Sequence, residues 1–383
     1  MKYPLFKVHL NSEETLANLE SVFASGYLNE GEQVIELEKK LSRFLEINHL
    51  TLVNSGTSAI TLALRIIGVG VGDEVITTAM TCIATNTPIV NSGAKIVWAD
   101  IYADTGMISV EDVESKITSR TKAIMIVDWA GTPADLVAFE NLSKKFSIPI
   151  IQDAAHAFGA KYDDIPISDF ADFTCFSFQA IKHFTTGDGG GLVCRNINDF
   201  SLARKLKWFG YDRDSVKDSK GEWRGQKWDA DILENEVGYK FNMNNMGAAV
   251  GLANLSKMTD VLQRHRSNAA LLTKLLSNQE KIKILEVDPK AESSFWVYTL
   301  RLNLTENQRD LILQRLNDRG VGAGLVHLPN DRYTAFHGFR AELTQTHLFA
   351  STQISLPCGW WLGQDDIQII ASALIDEIDA VVN

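Results

Sequence analysis

The 383-residue sequence is poor in cysteine and proline, with 4 and 8 of them respectively. Cys82, Cys175, Cys194 and Cys358 stand far apart, and no two have the spacing of a zinc knuckle or a redox dithiol. That excludes a disulfide framework and a structural zinc site, and predicts reduced thiols with no bound metal. Positive charge is in deficit, 37 Lys and Arg against 48 Asp and Glu for a net charge of -11. Such a surface repels phosphate backbones and anionic lipid, so neither nucleic acid nor a membrane is an expected partner. No stretch offers about 18 uncharged apolar residues in succession. The start, Met1-Lys2-Tyr3-Pro4, reaches polar sequence by Asn11 without the apolar centre of a signal peptide, which predicts a cytoplasmic protein. Fixed-period repeats and low-complexity tracts are also missing, which argues against solenoids and arrays.

What is present suits a folded enzyme-sized chain. Hydrophobic residues make up 45%, ample for a large core. At about 150 residues per domain, the length predicts two or three units. Asn11 through Glu14 has the spacing of a capping box opening a helix to about Ser25. Val34, Leu37, Leu41 and Phe44 then recur at helical spacing, and a short strand, Leu50 to Val53, ends at Asn54-Ser55-Gly56-Thr57. Strand-like runs follow at Glu74–Thr78, Lys95–Ala99, Ala123–Val127, Ile148–Gln152, Phe173–Phe178 and Gly191–Arg195, most of them separated by enough chain for a crossover helix. This is the pattern of a mainly parallel sheet covered on both faces. Residues 210–236, with Trp208 at the edge and Trp223 and Trp228 inside, read as a long irregular excursion. A helical run from Ala248 to Leu275 leads to strand signals at Lys281–Glu286 and Phe295–Asn303 and helices near Glu306–Arg319 and Gln364–Val381. The expected organisation is a large α/β domain over residues 1–253, carrying the N-terminal arm and the excursion, and a smaller α+β domain over 254–383.

Three places carry chemistry. Asn54-Ser55-Gly56-Thr57-Ser58 follows a strand and opens a helix, so free N–H groups and the positive helix end can hold an anion; a plain helix cap is the alternative. Gly68-Val69-Gly70-Val71-Gly72 looks like a dinucleotide loop, but it follows a helix and precedes a strand, the wrong order. Asp153 stands at the carboxyl end of an inner strand, where open α/β sheets place ligand groups; there it either caps a following helix or pairs with a cation that keeps it ionised. His156 follows, either as a ligand group or as a satisfied core histidine. Lys182 has apolar neighbours on both sides, Phe176 to Phe184, just ahead of Thr185-Thr186-Gly187-Asp188-Gly189-Gly190-Gly191. Apolar surroundings favour the neutral amine, the form that attacks a carbonyl, although a lone lysine more often lays its stem on apolar surface with its head in water. Together, an anion cradle, a fixed carboxylate and a neutral amine on one doubly wound sheet supply what pyridoxal phosphate needs for its phosphate, its ring nitrogen and its aldehyde.

The segments Asn54–Ala59, Gly72–Ile76, Gln152–Ala157 and Ser177 through Lys182 to Gly190 resemble, in order, the DegT/DnrJ/StrS family of pyridoxal-phosphate sugar aminotransferases, across nearly the whole chain. The resemblance implies fold type I of the pyridoxal-phosphate enzymes, like aspartate aminotransferase: a mainly parallel seven-stranded sheet with a smaller C-terminal α+β domain. It also implies that Lys182 bonds the cofactor, Asp153 pairs with its ring nitrogen, His156 reaches its ring hydroxyl, and Gly56, Thr57, Ser58 and Ser177 hold its phosphate. A homodimer with shared active sites is implied as well. Two departures stand out. Cys82, in Thr81-Cys82-Ile83-Ala84-Thr85, takes the place where the family has an aromatic on the cofactor face. Lys240, in Gly238-Tyr239-Lys240-Phe241-Asn242-Met243, takes that of an asparagine reaching the partner's phosphate, where a lysine would act as a point charge. For the nucleotide-linked keto sugar, expected to be a 4-keto-6-deoxyhexose aminated at the expense of glutamate for surface polysaccharides or natural products, the candidates are Tyr211, Arg213, His183 and His327. Rival readings are a 3-keto sugar substrate, a dehydratase on the same scaffold in which a histidine replaces the lysine, and a regulator that binds cofactor without turnover.

Overall fold

The computed structural model describes residues 1–211 and 237–382. Two N-terminal helices, α1 (Ser12–Ser25) and α2 (Glu32–Leu45), precede β1 (Leu50–Val53). Helix α2 buries one stripe, Val34, Leu37, Leu41 and Leu45, as its 3.6-residue periodicity requires. Strands and helices then alternate through α3 (Gly56–Ile67), β2 (Glu74–Thr78), α4 (Ile83–Asn91), β3 (Lys95–Ala99), α5 (Val110–Ser115), β4 (Thr121–Val127), α6 (Leu136–Phe146) and β5 (Ile150–Asp153). A small hairpin, β6 (Lys161–Tyr162) and β7 (Ile165–Pro166), interrupts the alternation before β8 (Phe173–Ser177), β9 (Gly190–Cys194) and α7 (Ile197–Leu206).

Seven of these strands form one sheet in the order β1-β9-β8-β5-β4-β2-β3. Only β9 runs against its neighbours, pairing antiparallel with β1 and β8. Strands β1, β2, β5 and β9 are buried along their whole length, because helices cover both faces of the sheet. The result is a mainly parallel seven-stranded α/β sheet, as the alternation of strand and helix signals predicts.

From residue 237 the chain continues through α8 (Asn245–Leu255), α9 (Met258–Leu276), β10 (Ile282–Ile284), β11 (Ala291–Glu292), β12 (Tyr298–Leu302), α10 (Glu306–Asp318), α11 (Thr344–Thr352), β13 (Gln353–Leu356) and α12 (Gln364–Val382), and the irregular excursion expected from the sequence lies almost wholly outside the described residues. Strands β10, β12 and β13 make a three-stranded antiparallel sheet. Leu300, Ile312, Leu316, Ile354, Ile370 and Leu374 centre its own apolar core. The N-terminus docks there: the N–H groups of Lys2 and Tyr3 both bond the carbonyl of Gly320. No helix among the described residues is long and apolar enough to cross a membrane.

Three local expectations fail for physical reasons. Asn11 stands at the N-cap of α1, but its side chain accepts no N–H of the first turn; its amide instead donates to Glu14 Oε2 at 2.7 Å and to the carbonyl of Ala253, tying the helix start to α8. The helical run from Ala248 breaks at Ser256-Lys257 into α8 and α9. No helix follows Asp153, so its carboxylate is no helix cap.

Candidate active site

The carboxyl ends of β4, β5 and β8 meet the N-terminus of α3 around a cavity of about 400 Å³. At one end lies α3, whose first turn is shaped by Ser55: its hydroxyl accepts the N–H of Ser58 at 3.1 Å. The N–H groups of Gly56 and Thr57 belong to the unpaired start of the helix, where an anion is favoured by geometry and dipole alike. Close approach makes the cradle. A Cβ on Gly190 would sit 2.5 Å from the Ser55 backbone, and one on Gly56 3.0 Å from Ser177 Cβ, so only glycine lets β9 and the end of β8 close on the helix start. Gly56, Thr57 and Ser177 line the cavity. Ser58 does not: its hydroxyl donates to Asn54 Oδ1 at 2.6 Å inside the cap, which corrects the expectation that it faces the anion.

Asp153 is buried at the end of β5, paired in register with Val127 and Cys175 on its flanking strands. Its Oδ2 accepts the hydroxyl of Thr85 at 2.6 Å and its Oδ1 the N–H of Ala155 at 3.0 Å. Burial pushes this carboxyl above its usual range, opposed by those two donors and by the charge of Lys182. A cation placed against it would hold it ionised, and a protonated ring nitrogen is such a cation. Behind it lies Asp128, whose Oδ2 accepts Gln152 Nε2 at 2.8 Å and which burial pushes up to about 8. One of these neighbouring carboxyls therefore keeps a proton at neutral pH.

Lys182 projects from the loop between β8 and β9. Phe178 and Phe184, both fully buried and edge to face at 5.0 Å, pin the loop on either side of the lysine. The N–H of Thr186 closes it onto the carbonyl of Phe178 at 3.1 Å, and Asn254 Nδ2 holds the carbonyl of Thr185 at 2.9 Å. Gly187, at φ +85, makes the left-handed turn this closure needs. Burial pushes the Lys182 amine down to about 8, against the opposing pull of Asp153 and Cys82. About a tenth of the amine is thus neutral at pH 7 and about half at pH 8, and the neutral form is the one that attacks a carbonyl.

His156 and His327 complete the wall, their rings stacked at 5.4 Å, with the Nδ1 of His156 and the Nε2 of His327 buried without a hydrogen-bond partner among the described residues. Burial pushes both imidazoles down, His327 to about 4, so both are neutral and each leaves a polar atom for a ligand. His327 is held at φ 66, unusual for a side chain of its size, with its carbonyl bonded by Gln353 Nε2 at 3.1 Å. Cys82, the residue ahead of α4, also lines the cavity.

Other sequence candidates lie elsewhere. His183 does not line the cavity; it is buried, donates Nε2–H to the carbonyl of Ser294 at 3.0 Å and packs on His265 at 4.6 Å. Tyr211, whose N–H bonds the carbonyl of Trp208, stands outside the cavity, and Arg213, Trp223 and Trp228 lie outside the described residues. Lys240 is exposed, its ammonium 3.7 Å from the ring centroid of Trp208 and bonded to Asn242, away from this chain's own cavity. Sequence reasoning missed Thr85, whose four-residue spacing from Thr81 on the turn into α4 was the available signal. It also missed Trp296, which was read only as part of a strand.

The cradle, the buried acceptor, the depressed amine and the orphaned imidazole nitrogens fit pyridoxal phosphate group by group. Residues 10–375 match the DegT/DnrJ/EryC1/StrS aminotransferase family. Among curated relatives, the UDP-4-amino-4-deoxy-L-arabinose–oxoglutarate aminotransferase of Shewanella sediminis is 31% identical, over 94% of this chain and 95% of that one. Among solved structures, AtS13 from Actinomadura melliaura superposes with a TM-score of 0.89 at 34% identity over 98% of both chains. The pyridoxal-phosphate form of the putative sugar aminotransferase Spr1654 from Streptococcus pneumoniae gives 0.89 at 27% identity over 100% of both. The chain belongs to the DegT/DnrJ/EryC1/StrS family and is a pyridoxal-phosphate-dependent sugar aminotransferase.

Proposed function

We propose that the chain moves an amino group from glutamate to a nucleotide-linked keto sugar, a 4-keto-6-deoxyhexose, in the building of surface polysaccharides or natural products. When bound, pyridoxal phosphate supplies an electron sink for the carbon that loses and regains a proton. Gly56, Thr57 and Ser177 would hold its phosphate, Asp153 its ring nitrogen, and His156 its ring hydroxyl. Lys182 Nζ would hold the aldehyde end of the group and would move the proton between the two carbons, an acid–base role suited to an amine that titrates near working pH. His327, at the cavity wall, orients the sugar, while Tyr211 and Arg213 serve the nucleotide. Lys240 reaches the phosphate in a second copy, so the working unit is a homodimer with shared sites.

The observation that carries this reading is a depressed amine and a buried carboxylate on the same cavity wall as a helix N-terminus. The name of the Shewanella relative pairs a UDP-linked 4-amino-4-deoxy sugar with oxoglutarate, the aminated product and the spent donor of such a transfer, which supports a ketone at carbon 4 and glutamate as the donor. Lys182 on the wall, with His183 turned away, counts against the dehydratase. Incubation with glutamate and a panel of 3-keto and 4-keto nucleotide sugars, read by mass, tests it. Amination of a 4-keto substrate is the expected result; amination of 3-keto substrates alone, or loss of water without amination, contradicts it.

A further inference from the structure

Trp296 has no assigned role, yet its ring lies against the reacting amine. Lys182 Nζ lies 3.8 Å from the centroid of its ring. The indole is tied to the residue just before the lysine, since Nε1–H donates to the carbonyl of Ile181 at 2.8 Å. Its ring is stacked with His156 at 4.0 Å and with Phe6 of the N-terminal arm at 4.7 Å, both within 25° of parallel.

The backbone that presents it is equally fixed. Phe295, just before it, sits at φ 46, a strained value for a bulky residue. That carbonyl accepts His265 Nδ1–H at 2.8 Å and the thiol of Cys358 at 3.3 Å, while the N–H of Trp296 bonds the carbonyl of Ala130 at 2.8 Å. Strain held by so many partners places this ring, and its position over the amine is what the strain secures.

Among the described residues no hydrogen bond to Lys182 Nζ is present. The charged form is therefore supported by the negative ring face and by more distant groups: Asp153 at the end of β5 and Cys82 ahead of α4 favour the ammonium, and Asp188 lines the same cavity. His156, His327 and His183 oppose it only when protonated, and burial keeps them neutral. We propose that Trp296 is a positioning residue that fixes the direction of the Lys182 amine and raises its proton affinity through a cation–π contact, with the N-terminal arm bracing the indole through Phe6. The contact adds to the pull of Asp153 and Cys82 on an amine that burial has lowered, and so favours the charged form of a group that must both take up and give back a proton.

The inference rests on Lys182 being the reacting amine, and its test needs neither glutamate nor sugar. The titration of Lys182 in the apoprotein is read by competitive acetylation at a series of pH values, with the Lys182 peptide quantified by mass and folding checked by circular dichroism. Trp296→Leu keeps apolar bulk and removes the π face; its midpoint falls by about one pH unit, a tenfold loss of proton affinity. Trp296→Phe, with a weaker face, falls between it and the parent. An unchanged or raised midpoint in folded W296L overturns the proposal, as does a W296F midpoint equal to that of W296L. The parent protein gives a second reading that requires no variant. After reductive 13C-methylation, the Lys182 signal shows the upfield ring-current shift of a group over an indole, and its absence overturns the proposal even should W296L fail to fold. A chain that titrates as stated but aminates no sugar leaves this contact standing and removes only the proposed substrate.

Discussion

Thr85→Val isolates one hydrogen bond in the ring-nitrogen site. The Thr85 hydroxyl has a single proton and gives it to Asp153 Oδ2 at 2.6 Å, so the 2.8 Å contact with Thr81 is donated by Thr81. All three side chains are buried. Valine keeps the shape and removes the donor to an ionised acceptor, a bond worth about 1.5–3 kcal/mol. At 1.36 kcal/mol per pH unit, the carboxyl of Asp153 in the apoprotein should titrate about one to two pH units higher. The sign follows from burial, which already raises this carboxyl above its unfolded value. Its contribution to stability is complete below the unfolded pKa, near 4, and is lost as pH rises through the folded one. Raising the folded value further lengthens that loss. The variant's deficit should therefore be smallest near pH 4 and grow by about 1.5–3 kcal/mol once Asp153 is ionised in both proteins. Denaturant unfolding of both apoproteins at one concentration, from pH 4 to pH 8, measures it. A deficit independent of pH would show that Thr85 merely packs, and the reasoning about Asp153 would fail.

Asp128, pushed up to about 8, should lower apoprotein stability as pH rises from about 4 through about 8; Asp128→Asn cannot ionise, so its stability should gain on the parent across that window, and parallel curves would contradict the assignment. Lys240→Ala should weaken cofactor binding about tenfold, the loss of one charge-assisted contact, measured by cofactor titration of the apoprotein; unaltered affinity removes Lys240 from the phosphate site. Because only neutral Lys182 attacks the cofactor's aldehyde, the rate of reconstitution should climb about tenfold per pH unit below its pKa and level off above about 8, followed by stopped-flow absorbance. A rate flat from pH 6 to 9 would show that a different group reacts.

The central sheet was legible because strands buried on both faces read as short apolar runs between turns; Glu74–Thr78 and Lys95–Ala99 were placed to the residue. The cradle and the lysine loop were legible for a related reason: the capping serine, the pinning phenylalanines and the glycines that permit close approach are local devices, written in consecutive residues. What stayed hidden depends on which distant side chains meet. Trp296 and Phe6 bear on Lys182 only through the fold, and Thr85 on Asp153 only because the start of α4 lies beside the end of β5. Adjacency in the chain misled in the opposite direction: His183 neighbours Lys182 and faces away, while Ser58 neighbours Thr57 and turns its hydroxyl into the cap. The hairpin β6–β7 was missed because two-residue strands have no periodicity to read.

The central claim concerns the nucleophilic amine. Protein loaded with pyridoxal phosphate, reduced with borohydride and digested should yield a single phosphopyridoxyl peptide, with the added mass on Lys182. Label on any other lysine, or no covalent label after reduction, would contradict the account.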